Sequence, residues 1–502
     1  MRLARKPFAS TLVLALCAAT LLPAALSSEE QILTAAITAN VLKAHVSFLA
    51  SDALEGRGTP SKGLDVAAEY IASEFRRAGL EPAGDDGYFQ SAPYATITEN
   101  PAGLQFSVEK DGKTVEPPPD AVRATAETGV EWKDLPLVKA AFADGDTAAF
   151  AGSVTGKAVV LVRPDFRSLP EAQREETYRR MSKVRNSLRE SKAAVLIESV
   201  TNLGPQGPRL TDLSGRKQTP PPAIVVRDPE FRKFVEGLPE GETGATVSAR
   251  CAAADSKKVT LRNVAGLLRG SDPKLKDTYV IVSGHYDHLG IEGGQIHNGA
   301  NDDASGTSSM LALSEALARL PERPRRSVLF IAYFGEEKGL LGSRYYGAHP
   351  LFPLDRTDAN FNLEQTGRTD DSEGPQLKRV FVTGFDYTNM TDWLVKAGRD
   401  QGVTFYKHET NSDAFFGRSD NQSLADSGVP AHTLGVAFEY PDYHQPGDHW
   451  DKIDYDNMAE VTRAIGVGLV RLANSSKPVQ WNKENPRAAN YVKAAEALAG
   501  KH

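Results

Sequence analysis

Apolar and polar positions alternate along the chain with two periods, and the change between them divides the sequence. From about residue 31 to residue 90, apolar side chains recur every three to four positions on both sides of a turn rich in Gly, Pro and Ser. This spacing predicts two helices, the second closed by Gly79. From about 256 to 480, apolar runs alternate with helical segments. That pattern predicts an α/β fold, an α/β/α sandwich with a mostly parallel central sheet.

The middle of the chain differs from both flanking regions in its pattern and in its residue types. Residues 131–255 hold the short β-like runs "GKAVVLVRP", "KAAVLIESV" and "PPAIVVRD", a polar stretch typical of a helix, and no histidine. Proline-rich segments at 117–119 and 220–222 set this region apart. We therefore expect a separate β-rich domain at 131–255, inserted between 28–130 and 256–480, with a surface tail at 481–502.

The first residues have the pattern of a secretory signal peptide, which we place at 1–27. A basic start precedes an apolar stretch from Phe8 to Leu22, and the small residues Ala25 and Ser27 suit cleavage after Ser27. The apolar stretch is short for a membrane span. Leu16 is large where a lipid-attachment signal before Cys17 needs a small residue. The sequence predicts a secreted or periplasmic protein without a stable membrane span, in which Cys251 is the single cysteine and no intramolecular disulfide forms.

Composition narrows the classes of partner. The 502 residues are 40% hydrophobic and 25% charged, which is ordinary for a globular protein and argues against disorder. The formal charge is −7, and it becomes more negative when the basic signal segment is removed. This balance argues against nucleic acid or an anionic membrane as a partner.

Acidic and histidine side chains follow the predicted strands of the last region. The segments that carry them are "SGHYDHLG", "NGANDDASG", "FGEEKGLLGS", "NLEQTGR" and "DYHQPGD". The candidate side chains are His285, Asp287, Asp302, Asp303, Glu336, Glu337, Glu364 and His444. Parallel sheets place functional groups in the loops at the carboxyl ends of their strands, so these side chains are expected to converge.

Imidazole and carboxylate groups without a thiolate suit catalytic Zn²⁺, although Mn²⁺ or Co²⁺ could take the same ligands. A carboxylate can bridge two ions roughly 3.5–4 Å apart. In the His-x-Asp pair, Asp287 is expected to accept the second imidazole proton of His285 and so to fix its tautomer.

These five segments resemble, in order, the signature blocks of the family 28 metallopeptidases, which include the bacterial dizinc aminopeptidases. Residues 131–255 resemble, more loosely, the protease-associated domain that many members carry as an insert. The resemblance implies two Zn²⁺ ions per chain and a peptide or protein substrate. It implies one ion held by His285 and Glu364, the other by Glu337 and His444, and Asp302 bridging both. Glu336 falls at the position of the general base, and Tyr443 at that of a tyrosine that stabilises the oxyanion.

One position departs from the family pattern. The block around Glu364 usually reads Asn-Leu-Asp, so this chain has one extra methylene in a metal ligand. The spacing of the ions and the binding of a substrate amine are therefore expected to be sensitive to this residue. Asp303 is expected to be either a helix cap or a catalytic group, and Asp448 to support the ligands. His288 and His297 are placed near the cleft without an assigned ligand role.

Several functions remain open on the sequence alone. A secreted zinc aminopeptidase is the main hypothesis. A dipeptidase, a carboxypeptidase or a glutaminyl-cyclase-like enzyme would use the same fold and metals. A non-catalytic binding module would be expected to have lost ligands or base, and every such position here holds a competent side chain.

Overall fold

The computed structural model describes residues 25–140, 154–166, 168–203, 207–214 and 220–500. The chain divides into two compact units, one made of the segments up to Gln90 and from Arg262 onward, the other of Ser91–Leu261. The predicted signal peptide lies outside the described residues except for its last three positions.

The first unit begins with three helices and a short strand, namely α1 (Ser28–Ala36), α2 (Ala39–Leu49), α3 (Lys62–Ala78) and β1 (Glu81–Pro82). The two predicted helices correspond to α2 and α3. Ser61 caps α3 by accepting a hydrogen bond from the Leu64 amide, and Gly79 ends it in a left-handed conformation with φ of 79°. Between α2 and α3, Asp52–Arg57 forms a short, tight helical turn.

The second unit is a mixed sheet with two helices. Its elements are β2 (Phe89–Thr98), β3 (Gln105–Lys110), β4 (Lys113–Val115), β5 (Val122–Thr125), β6 (Val130–Lys139), β7 (Ala158–Val162), α4 (Glu171–Arg189), β8 (Val195–Ser199), β9 (Arg209–Asp212), β10 (Ala223–Val226), α5 (Pro229–Glu236) and β11 (Gly241–Cys251). Eight strands are ordered β4-β3-β11-β6-β7-β8-β10-β5, and β6, β7, β8 and β10 run parallel. An apolar core that includes Phe106, Val160, Ile197 and Phe231 lies on one side of this sheet.

The remainder of the first unit carries the larger sheet. Its elements are β12 (Asp255–Leu268), β13 (Tyr279–His285), β14 (Gly290–Glu292), β15 (Gln295–His297), α6 (Gly306–Ala318), β16 (Ser327–Tyr333), α7 (Leu341–Ala348), β17 (Thr357–Leu363), β18 (Asp370–Asp371), β19 (Gly374–Pro375), β20 (Arg379–Val382), α8 (Thr391–Gln401), β21 (Thr404–Tyr406), α9 (Asn411–Ala414), α10 (Asn421–Asp426), β22 (Ala431–Gly435), α11 (Tyr455–Ala473) and α12 (Ala489–Ala499).

The central strands β16, β13, β17 and β22 are parallel neighbours, and β12 and β20 pair with them in the antiparallel sense. Every residue of β13 and β16 is buried, as expected for strands covered on both faces. Helix α6 packs on β13, β16 and β17, whereas α7 contacts β16 and α10 contacts β17 and β22. The expected mostly parallel centre is present, with antiparallel strands toward its edges.

Two boundaries differ from the prediction. The second unit begins at Ser91 rather than at 131, because β3 pairs with β11 and β5 with β10 and so both belong to its sheet. The expected surface tail contains α12, and the side chains of Tyr491 and Leu498 pack against the core cluster that contains Trp481. Strands β3 and β5 are short and have few apolar residues, and helix α12 is brief and flanked by polar residues. Their periodicity is too weak for these elements to be recognised in the sequence.

Among the described residues, no single helix has the length and apolar composition needed to cross a membrane. The consecutive pair α1 and α2, bent by 44°, meets that test by length and composition only.

Candidate metal centre

Three strand ends place four of the predicted side chains next to one another. His285 is the last residue of β13, Glu336 and Glu337 follow β16, and Glu364 follows β17. Strand β13 lies between the other two, and its His285 is in register with Tyr333 of β16. Because the three strands are parallel, their carboxyl ends meet at one edge of the sheet, as the sequence predicted.

Two loops bring the remaining candidates to this edge. Asp302 lies in the turn Ala300–Ser305 before α6. The backbone amides of Asn301 and Asp302 donate hydrogen bonds to the carboxylate of Asp448, at 3.0 and 3.2 Å. His444 lies in the loop after β22 with a positive φ of 54°. Asp448 therefore supports the Asp302 loop, which agrees with its expected supporting role.

The carboxylate of Asp302 lies between two groups of side chains. One of its oxygens is 3.2 Å from Nε2 of His285, and the other is 3.0 Å from Nε2 of His444. On the first side, donor atoms of His285, Asp302 and Glu364 all lie within 4.8 Å of one another. On the second side, Nε2 of His444 is 3.4 Å from Oε1 of Glu337. The geometry thus brings together all five predicted ligands, with Asp302 in the middle.

The chemistry of these donors fits divalent metal. Nε2 of His285 and Oε1 of Glu337 are buried, and no described residue gives either atom a hydrogen bond. Buried polar atoms without partners are costly, and an ion that accepts their lone pairs removes that cost. Nitrogen and carboxylate oxygen donors are those that Zn²⁺ takes in catalytic sites.

A third histidine, His288, also lies at the centre. It is fully buried, and its Nδ1 is 2.9 Å from Oε1 of Glu337. Donor atoms of His288, Asp302 and Glu337 lie within 4.8 Å of one another. The sequence placed His288 near the cleft without a ligand role, because nothing in the sequence shows that its ring meets a residue 49 positions later. A histidine three residues after His285 was the only available signal.

Asp287 connects the first ligand to the loop after β16. Its carboxylate accepts hydrogen bonds from the hydroxyl of Thr59 and from the amide of Glu336, both at 3.0 Å. Nδ1 of His285 is 3.2 Å from the backbone oxygen of Asp287 and 3.6 Å from its carboxylate. The His285 imidazole is therefore hydrogen-bonded to the backbone oxygen of Asp287, whereas the carboxylate that was predicted to accept its proton lies 3.6 Å away and accepts from Thr59 and Glu336 instead.

The protonation of the acidic groups is set by burial and by the imidazoles. Burial raises the pKa of Glu336 well above its usual value, with the neighbouring Glu364 acting in the same direction. Burial also raises the pKa of Glu364 to about 7. For Glu337, the nearby imidazoles of His288 and His444 overcome the effects of burial and of Asp302 and lower the pKa to about 2.

A cavity of about 350 Å³ opens onto this centre. Its wall includes Tyr443, whose ring stacks on that of His444 with centroids 4.0 Å apart. Phe381, Phe415 and Phe438 form an aromatic side of the cavity, with the rings of Phe381 and Phe438 stacked at 3.7 Å. Two exposed cationic residues, Arg344 and Arg418, also line it.

A buried arginine, Arg57, stabilises the loops that carry the predicted ligands. Arg57 is inaccessible to solvent and has a positive φ of 51°. Its guanidinium donates hydrogen bonds to the backbone oxygens of Tyr286, Asn298 and Gly299, at 2.7, 2.8 and 3.0 Å, and also to that of Leu49. Burial lowers the pKa of Arg57 to about 10, so the group stays charged at neutral pH. Nothing in the sequence pattern marks this residue as part of the site.

The other residues considered have local explanations. Asp303 accepts a hydrogen bond from the Gly306 amide at 3.0 Å and so caps the start of α6, one of its two expected roles. The imidazole of His297 is buried, but His297 is in neither group of potential metal donors.

Comparisons with known proteins relate this chain to peptidases. Residues 263–467 match peptidase family M28. The chain is 23% identical to aminopeptidase YwaD of Bacillus subtilis over 374 residues, which cover 73% of each protein. It is 26% identical over 270 residues to a probable glutamate carboxypeptidase, VP8, of Zea mays, a match that covers 49% of this chain and 35% of that protein. The solved structure of an aminopeptidase from Aneurinibacillus sp. strain AM-1 superposes with a TM-score of 0.54 at 22% identity, covering 88% of this chain and 95% of that one. The predicted α/β fold is thereby confirmed.

Proposed function

Through residues 263–467 the chain belongs to peptidase family M28 and is a metallopeptidase, and on that premise we propose that it is a zinc-dependent aminopeptidase that uses two ions. The observation that carries the proposal is the placement of Asp302, with one carboxylate oxygen toward His285 and the other toward His444. His285 and Glu364 would hold one ion, Glu337 and His444 the other, and Asp302 both. Bound there, the ions supply Lewis acidity, which brings the pKa of a coordinated water near 7 and polarises a carbonyl.

Glu336 is the group proposed to move the proton. It follows β16 directly before Glu337, its amide is fixed by Asp287 at 3.0 Å, and its side chain lines the cavity. Its raised pKa suits a group that accepts a proton from the attacking water and passes it to the leaving amine. Such proton transfer contributes roughly 10²- to 10⁴-fold to the rate.

Tyr443 is proposed to stabilise the oxyanion. Burial, together with the nearby carboxylate of Asp302, raises its pKa, so the phenol keeps its proton at neutral pH. A phenol on the cavity wall can donate a hydrogen bond to the carbonyl oxygen as negative charge develops there. Its stacking on His444 keeps the ring beside the metal ligands.

The test is hydrolysis of a matched set of short peptides with a free amino terminus, an acetylated amino terminus, or an amidated carboxyl terminus. We expect cleavage of the free and the amidated peptides, no cleavage of the acetylated peptide, loss of activity on chelation and recovery with Zn²⁺. Cleavage that tolerates acetylation but requires a free carboxyl terminus would overturn the aminopeptidase assignment.

One observation favours a second candidate, an enzyme that also reads the substrate carboxylate. Arg344 and Arg418 line the cavity, and no described carboxylate lies within 4.0 Å of either guanidinium. Free cations beside a peptidase centre are suited to binding the terminal carboxylate of a dipeptide. Under this alternative, Arg418→Gln raises KM for a dipeptide and leaves KM for its amide unchanged. Equal KM values for the two substrates in the unaltered enzyme would remove the alternative.

We also propose export to the periplasm or the medium, supported by the basic start and the apolar stretch of the first 27 residues. The insert is proposed to be a protease-associated domain, on its resemblance to such inserts. Mass spectrometry of the mature amino terminus tests the first of these proposals, and a full-length amino terminus in the exported fraction would contradict it.

A further inference from the structure

The imidazole of His288 has no explanation within the five-ligand centre. Its side chain is fully buried, yet neither ring nitrogen has a hydrogen-bond partner among the described residues. A buried imidazole without partners is unusual, since buried polar groups are almost always hydrogen-bonded.

The contact between His288 and Glu337 is close but is not a hydrogen bond. Nδ1 of His288 is 2.9 Å from Oε1 of Glu337, and both atoms still lack a partner of suitable direction. Nε2 of His285, a predicted ligand, has the same relation to Asp302, at 3.2 Å and again without a hydrogen bond. When two side chains bind the same ion, their donor atoms lie about 3 Å apart and point at the ion rather than at each other. The atoms of these two pairs have that relation.

We propose that His288 is a further protein ligand of the second metal site, an inference that rests on the proposed two-ion centre. The second site then has two imidazoles and two carboxylates, from His288, His444, Asp302 and Glu337. The first site has one imidazole and two carboxylates, from His285, Asp302 and Glu364. The sites therefore differ in the number of protein donors, and the second holds its ion more tightly.

The surroundings of His288 fix its ring in this position. Its amide donates a hydrogen bond to the backbone oxygen of Arg57 at 3.3 Å. The Gly299 backbone, with φ of 59°, passes so close that a Cβ atom there would lie 2.4 Å from Cγ of His288. A ring held between two backbone segments loses little freedom when it binds an ion, as a pre-organised ligand should.

The experiment measures metal retention in the full-length protein and in His288→Ala. Zinc content is followed by mass spectrometry of the element while the free zinc concentration is lowered stepwise with a chelator. We expect two release steps in the unaltered protein, and a shift of the later step by roughly 10- to 100-fold toward weaker binding in the variant. Release curves that superpose would overturn the proposal.

His297→Ala is the matched control, because it removes another buried imidazole from the same connection between β13 and α6, and this imidazole lies outside both groups of donors. We expect its release curve to equal that of the unaltered protein. Circular dichroism of both metal-free variants shows whether they are folded.

A second measurement needs no variant. X-ray absorption of the unaltered protein loaded with one equivalent of zinc counts the imidazoles on the tighter site. We expect about two imidazoles per zinc, and a value of one would overturn the assignment of His288. Peptide turnover is measured separately, so that a failure of the peptidase proposal is distinguishable from a failure of this one.

Discussion

Both units of the molecule contain neighbouring parallel strands that end at a common edge, but among the described residues only one edge brings together groups of potential metal donors. In the first unit β13, β16 and β17 lead to His285, Glu336, Glu337 and Glu364. In the second unit β7 and β10 lead to Arg163 and Arg227. A parallel sheet supplies a place where loops converge, and the residue types in those loops decide whether chemistry occurs there.

The charged side chains at the two edges also differ in their burial and in their partners. In the second unit Glu198 is paired with Arg185 at 2.8 Å and with Arg163 at 3.4 Å, and all three side chains are partly exposed. In the first unit the carboxylate of Asp302 is buried and those of Glu336, Glu337 and Glu364 are partly buried, and the guanidinium of Arg57 donates its hydrogen bonds to backbone oxygens. Burying unpaired charge is costly, so the ions of the proposed metal centre would stabilise the first edge, whereas the second edge already has its carboxylate paired with arginines.

The largest effect is expected when the same Glu→Gln substitution is made at each of the two edges and the turnover of the two variants is compared. Glu336→Gln should lower kcat by roughly 10²- to 10⁴-fold while leaving the zinc content unchanged, because it removes the proposed base and no ligand. Glu198→Gln, the same change at the edge of the second sheet, should leave kcat unaltered. Turnover and zinc content are measured on both proteins. Near-normal turnover of the first variant would remove Glu336 from the mechanism.

The next effect concerns metal binding at the residue that departs from the family pattern. Glu364→Gln should weaken one zinc by at least the roughly 10- to 100-fold seen when supporting groups of metal sites are lost. Glu364→Asp restores the usual family residue and should retain both ions. Elemental analysis after dialysis tests this, and two tightly held ions in the Gln variant would count against a ligand role for Glu364.

Residues 91–261 contain no histidine, so an effect of histidine titration on stability distinguishes the first unit from the second. In the first unit, His432 is fully buried between Thr383 and Thr388, and its burial lowers its pKa to about 4. The unfolded chain, with a histidine pKa near 6.5, takes up the proton first as the pH falls. The contribution of His432 is therefore complete above pH 6.5 and is lost as the pH falls to 4, by about 3 kcal/mol in all.

Calorimetry between pH 7 and pH 5 measures this loss. His432→Gln should unfold with a weaker dependence on pH than the unaltered protein, because the titrating group is gone. An equal dependence in the two proteins would show that His432 does not titrate as described.

The smallest effect is expected for Cys251 in the second unit. Burial raises the pKa of its thiol to about 11. At pH 8 the thiolate fraction is then at least about 100-fold below that of an ordinary cysteine, and alkylation should slow in proportion. Iodoacetamide labelling, with the denatured protein as control, checks this. Fast labelling of the native protein, without loss of peptidase activity, would show that the second unit opens independently of the metal centre.

The places of His285, Glu337 and Glu364 were predictable from the sequence because each ends or follows an apolar run that forms a buried strand. Asp302 and His444 reach the same edge on loops, and their place was predicted from the resemblance of their segments to the family blocks. Two contributions were not predictable. The contact of His288 with Glu337 depends on the direction in which a loop side chain points, and Arg57 binds backbone oxygens, which leave no trace in residue types.

The limits of the second unit were also beyond the sequence pattern. Strands β4 and β5 have only three and four residues, and runs this short do not show a clear period. Their place became visible only in the pairing of β4 with β3 and of β5 with β10.

The hydrogen bonds of Arg57 bear on the order in which parts of the structure are completed during synthesis. Arg57 is synthesised with the first segment of its unit, whereas its acceptors at Tyr286, Asn298 and Gly299 come after the whole second unit, residues 91–261. At 5–20 residues per second, a ribosome needs roughly 10 to 35 seconds for that interval. During this time the early helices wait without their partners while the second unit is able to fold. The candidate metal centre is thus among the last parts of the molecule to be completed, and ion uptake by the proposed centre would follow synthesis of the second unit rather than accompany that of the first helices.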